Sequence, residues 1–154
     1  MTCESSHIKA TLGSGTGLPG TGIGSISSFT FAKCSGPLGI AYTLTFSHSP
    51  FKLNATSYNS GTGTTTATIA GIHGTFAGPT CSFVLDGTGA TKDNGAVVVT
   101  YVNSTHKLKF LTTGGDLHVY KLVGCGGLGE IHNHDRLTIS ATGTVTPSQT
   151  ITSP

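Results

Sequence analysis

The sequence predicts an all-β domain: a two-sheet antiparallel sandwich of about nine or ten short strands, with a barrel as the second choice. Three observations lead there. Apolar and polar residues alternate with period two, turn signals separate the alternating runs, and no segment carries the i, i+3, i+4, i+7 pattern of a helix. Hydrophobic residues make up 36% of the 154-residue chain and charged residues only 9%, so Thr, Ser and Gly supply most of the polar surface. Thr is β-branched and fits a half-buried pleated surface, while Gly marks turns and bulges.

In chain order, Ile8, Ala10 and Leu12 alternate with His7, Lys9 and Thr11. The run from Gly13 to Gly24 reads as a loop or a bulged strand start. Phe29 and Phe31 alternate with Ser28 and Thr30, and Ser35-Gly36-Pro37 ends that run. Tyr42, Leu44 and Phe46 form the next set, then Phe51, Leu53 and Ala55 after a Ser49-Pro50 turn. Asn59-Ser60-Gly61, Gly78-Pro79 and Asp86-Gly87 are further turns. Asp93-Asn94-Gly95 ahead of Ala96-Val97-Val98-Val99 is the sharpest hairpin cue, since Asn-Gly accepts the positive φ of a tight turn. Leu108 and Phe110 alternate with Lys107 and Lys109. Leu117 to Val123 reads as a central strand buried on both faces. Gly124 to Gly129 is a Gly-rich loop around Cys125, and Leu137, Ile139 and Ala141 mark the last strand. The chain reads as one domain over residues 1–154, with residues 147–154 as a tail that is either loose or paired along a sheet edge.

The four cysteines at 3, 34, 81 and 125 form no C-x-x-C pair, which argues against zinc-finger and thioredoxin-like readings. They read as two disulfides, a pattern of oxidising compartments. Three pairings are possible, and the sequential one, Cys3–Cys34 and Cys81–Cys125, is preferred. Met1-Thr2-Cys3 reads as an initiator methionine on a mature secreted sequence. A net charge of +2 without a Lys/Arg run gives no case for nucleic acid, and no apolar stretch reaches transmembrane length.

Candidate chemistry is sparse. Glu130, His132 and His134 alternate in Glu130-Ile131-His132-Asn133-His134-Asp135, so in an extended chain they share a face. With Asp135 they form a candidate site for a divalent transition metal, and His73, His106 or His118 could add a ligand. The plainer reading is a solvated polar loop. His73 and His118 read as hydrogen-bonded strand histidines, and His7, His48 and His106 as exposed. Asp86, Asp93 and Asp116 stand at turns, where local capping accounts for them, and the Asp86–Asn94 stretch lacks EF-hand spacing. No Gly-x-Ser-x-Gly elbow lies between a strand and a helix, so no catalytic residue is assigned and no cofactor beyond that possible metal. The absence of Trp weighs against a lectin.

Ala10-Thr-Leu-Gly-Ser-Gly-Thr-Gly-Leu, Gly36-Pro37-Leu38-Gly39, Leu53-Asn54-Ala55-Thr56-Ser57-Tyr58, Gly78-Pro79-Thr80-Cys81 and Thr112 to Tyr120 together carry a resemblance, as does the ending Thr150-Ile151-Thr152-Ser153-Pro154. On these the chain resembles small secreted, β-rich proteins of actinobacterial type, a group of unassigned function. The resemblance implies secretion, four cysteines and one domain, and it carries over no catalytic residue. Glu130 to Asp135 lies outside it.

The expectation is therefore a secreted, non-catalytic structural or binding domain, acting outside the cell or at its envelope. Its partner would be a protein or a cell-wall polymer, and self-association through sheet edges is a specific variant. The alternative is a metal-binding protein or metal-dependent hydrolase centred on His132 and His134; a carbohydrate-binding module comes third.

Overall fold

The structure is a computed structural model that describes residues 2–13, 15, 17–35, 41–125, 131–152 and 154. It is all-β and antiparallel, as the alternation predicts. The strands are β1 (Thr2–Leu12), β2 (Gly24–Ser35), β3 (Ala41–Ser47), β4 (Phe51–Asn59), β5 (Thr64–Ala77), β6 (Ser82–Asp86), β7 (Gly95–Val102), β8 (Lys107–Phe110), β9 (His118–Val123) and β10 (Thr142–Thr144).

β5 is the axis of the molecule. Its first half pairs with β4 on one side and β7 on the other, and its second half with β3 and β6. The chain bends between the halves at Gly71, whose φ of 85° is the left-handed conformation that favours glycine. The pairing with β7 slips between Ala70 and Ile72. Thr65, Ala67 and Ile69 are therefore buried before the bend, and Ile72, Gly74 and Phe76 after it. β3 and β4 follow the bend through His48-Ser49-Pro50, and β6 and β7 follow it through the loop 87–94. From β5 the ladder runs outward through β7 and β8 to β10, and through β6 to β9; β1 is added by its hairpin with β2.

Apolar side chains on the inner faces form one core, including Ile26, Phe51, Ile69, Ile72, Leu85, Val99 and Leu117. Tyr42, Phe76 and Phe83 stack in a row across β3, β5 and β6, with ring centroids 4.6 and 4.4 Å apart. Both disulfides form as preferred, Cys3–Cys34 and Cys81–Cys125. Cys3 and Cys34 are direct partners in the β1–β2 ladder. The sequence separations of 31 and 44 correspond to roughly 3.5–4 kcal/mol each in the chain-entropy account. Two disulfides point to an oxidising environment, and no helix among the described residues is long and apolar enough to cross a membrane.

Three expectations are corrected. The Asn94-Gly95 hairpin does not form: β6 and β7 do not pair with each other, because both lie along the same side of β5. Gly95 is needed instead for close approach, since a Cβ there would lie 2.5 Å from the Ile72 carbonyl oxygen. The segment from Leu117 to Val123 is not a central strand. β9 pairs only with β6 among the named strands, and Val123 is 66% exposed. The last alternating set, Leu137, Ile139 and Ala141, turns half-buried side chains inward but makes no ladder, only the His118–Arg136 bridge and single hydrogen bonds such as Leu137 N–H to Leu117 O at 2.7 Å.

The C-terminal tail lies against the end of β7. The Asn103 amide donates to Ile151 O and accepts from Ile151 N–H, at 2.8 and 3.0 Å, and Tyr101 Oη donates to Gln149 O at 2.7 Å.

Candidate functional site

Two sites flank the wall formed by β3, the second half of β5, and β6. On the outer face, His73 and Asp86 stand side by side because Gly74 pairs with Leu85 in the antiparallel ladder. Leu85 turns inward and Asp86 outward, but the loop 87–94 folds over Asp86 and leaves it 0% exposed. A carboxylate there must be fully hydrogen-bonded. Oδ1 accepts from the backbone N–H of Gly87 and Asn94, at 2.7 and 3.0 Å. Oδ2 accepts from Lys92 and Asp93 N–H, both at 3.1 Å, and lies 2.8 Å from His73 Nδ1. Burial pushes the Asp86 carboxyl up; the hydrogen bonds from His73, Asn94, Gly87 and Asp93 outweigh it, and the net shift is downward. An ionised Asp86 only accepts, so in this contact His73 Nδ1 carries a proton and donates it.

The grip of Asp86 on the loop fixes Asp93, whose φ is 50°. Asp93 Oδ1 lies 3.1 Å from His73 Nδ1 and 3.0 Å from Nδ1 of His48, which projects from the β3–β4 turn with a φ of 64°. The two imidazole centroids are 5.5 Å apart. His48, His73, Asp86 and Asp93 thus converge from three separate segments. Capping by Asp86 and a hydrogen-bonded His73 agree with the sequence reading. The convergence of His48 and Asp93 on His73 was missed, and no short-range spacing signals it.

The predicted metal segment is arranged differently. Glu130 lies outside the described residues. Asp135 Oδ2 accepts the His132 backbone N–H at 2.7 Å and stands 3.6 Å from His132 Nδ1. The ring of His134 packs edge-on against Tyr120, with centroids 5.1 Å apart. His118 reaches the His134 carbonyl through Nδ1 at 3.0 Å and Asp116 through Nε2 at 2.8 Å, while His106 Nδ1 lies 3.3 Å from Tyr101 Oη. Among the described residues, the His/Asp group with three converging donors is His73, Asp86 and Asp93, not the 130–135 segment.

On the inner face is a cleft of about 730 Å³. Tyr42, Leu44, Phe76, Phe83 and Leu85 form one wall, Phe31 and the start of β1 another, and Ile131 with residues 137–143 a third. The partly buried side chains of Ile131, Leu137, Ile139 and Ala141 pack against the core there from a segment that joins no ladder. A second cavity of about 90 Å³ lies under the first half of β5 and includes Thr65. Among the described residues, two buried side-chain polar atoms have no hydrogen-bond partner: Tyr42 Oη and Thr65 Oγ1. Each residue lines one of the two cavities.

No protein-family model, no curated protein and no solved structure matches this chain.

Proposed function

We propose that this chain is a secreted, non-catalytic binding domain, built as a two-sheet sandwich, that takes an apolar molecule with one hydrogen-bonding oxygen into its inner cleft. The observation that carries this reading is a cleft of about 730 Å³ walled by stacked aromatic rings, one of which, Tyr42, has a buried hydroxyl with no hydrogen-bond partner among the described residues. Ligand pockets of roughly 300–1,000 Å³ are typically apolar with few polar anchors. A buried hydroxyl without a partner is costly, and a ligand oxygen would remove that cost. In support of a sandwich over a closed barrel, β1, β9 and β10 each have one partner among the named strands. The two disulfides support an extracellular setting.

Titration with a fluorescent long-chain fatty acid tests the cleft. Saturable binding at one site per chain is expected, weakened about tenfold by Tyr42→Phe, the equivalent of one hydrogen bond of roughly 1.4 kcal/mol. Absence of saturable binding, or equal affinity in Tyr42→Phe, counts against the reading.

Self-association is a second reading, favoured by the 11-residue strand β1, which pairs with β2 alone among the named strands. Light scattering across a concentration series would reveal it as a rising mass.

A further inference from the structure

We propose that His48, His73 and Asp93 form a binding site for a divalent late transition-metal ion on the outer face, with Asp86 as its positioning residue. The site goes beyond the cleft reading and is independent of it, since none of its four residues lines either cavity.

Asp93 Oδ1 is the hub: Nδ1 of His48 and Nδ1 of His73 lie 3.0 and 3.1 Å from it. The two ring centroids are 5.5 Å apart, and the exposed His48 side chain would swing in to close the third edge on an ion. Ligand atoms around a tetrahedral zinc ion, bound at about 2.0–2.2 Å, lie roughly 3.3 Å from one another. Both contacts fall within a few tenths of an ångström of that edge. Two imidazole nitrogens and one carboxylate oxygen suit zinc, copper or nickel, and three protein ligands leave a position open. The half-buried His73 and the exposed His48 let an ion approach from solvent: their side chains are 16% and 60% exposed.

Asp86 is assigned to support rather than to the ligand set because it is fully buried and its oxygens are engaged by four backbone N–H groups, those of Gly87, Lys92, Asp93 and Asn94, as well as by His73. Asp86 holds the loop, and the loop holds Asp93 against the histidines. Such supporting groups commonly govern metal affinity about 10- to 100-fold. An imidazole that ligates through Nδ1 does so as the neutral ring with its proton on Nε2, so binding moves the Nδ1 proton to Nε2 by way of solvent, and only a doubly protonated ring releases a proton.

The test is Zn²⁺ titration of the full-length, tag-free, chelator-stripped protein by calorimetry. One ion per chain is expected. His48→Ala and Asp93→Asn should each weaken it at least about tenfold, while the His132→Ala/His134→Ala double variant binds as wild type. Circular dichroism checks that each variant is folded. As a readout without mutation, Zn²⁺ should shift the ring resonances of His48 and His73 in the nuclear magnetic resonance spectrum. The proposal is overturned by no Zn²⁺ binding, by unmoved His48 and His73 resonances, or by loss of binding in the His132/His134 variant alone. Binding of Ca²⁺ in preference to Zn²⁺ also overturns it, because a hard cation would not select imidazole donors.

Discussion

Asp86 and Tyr42 sit on opposite faces of the same three-stranded wall, one with five hydrogen-bond donors around it and the other, among the described residues, with no partner for its hydroxyl. Both are buried, at 0% and 5% exposure, so water compensates neither. The outer face therefore has its polar demands met by the chain itself, and under the proposal above an ion would enter there by displacing contacts already made. The inner face leaves a demand open, which the proposed ligand would complete. Burial is the same on both sides; the supply of backbone donors differs. The loop 87–94 is not part of any ladder, so its N–H groups are available to Asp86, whereas β-ladder pairing consumes those around Tyr42.

The largest expected effect comes from removing the satisfied acceptor. Asp86→Ala leaves four loop N–H groups without their carboxylate, and a loss of about 3–5 kcal/mol is expected from urea unfolding. Acid should act on the same contact more gradually. In chelator-treated protein, Asp86 has a lowered native-state pKa, so the unfolded state binds more protons there and stability rises with pH. Its contribution is complete above the ordinary aspartate range, near 3.9, and is lost as pH falls through that range to the lowered native value. Urea midpoints from about pH 5 downward should fall in the wild type, and this component should be missing from Asp86→Asn.

A smaller effect tests a polar group that does find its partners. Asn103→Ala frees both backbone groups of Ile151, and a loss of about 1–2 kcal/mol is expected. It should be accompanied by faster hydrogen exchange at Ile151. The smallest effect has the opposite sign. Tyr42→Phe and Thr65→Val each remove a buried hydroxyl without a partner, and each should stabilise the ligand-free protein by up to about 1 kcal/mol. Destabilisation by either would mean that its hydroxyl is satisfied in solution, and the contrast with Asp86 would narrow.

Strands that place a large apolar residue at every second position were legible in the sequence, as with Tyr42, Leu44 and Phe46 in β3 or Phe51, Leu53 and Ala55 in β4. β5 was not delineated, although it is the longest strand. Its buried positions are odd-numbered before Gly71 and even-numbered after it, so the slip in register breaks the alternation. Leu137, Ile139 and Ala141 failed in the opposite way, since alternation reports which way side chains face and not whether a ladder partner is within reach. The capping role of Asp86 could be read from its place before a glycine at a strand end. The partnership of His48 with His73 and Asp93 could not, because each comes from a different segment meeting at one bend.

The sequence by itself determined the strand-rich architecture, the inward set in most strands and the two sulfur staples, because alternation and turn chemistry are properties of neighbouring residues. Only the tertiary structure decided the sulfur pairing, the bend that gathers two histidines around an aspartate, and the cleft beside Tyr42. Those depend on which distant segments share a ladder and which pass it by, and that is settled by the packing of the whole core.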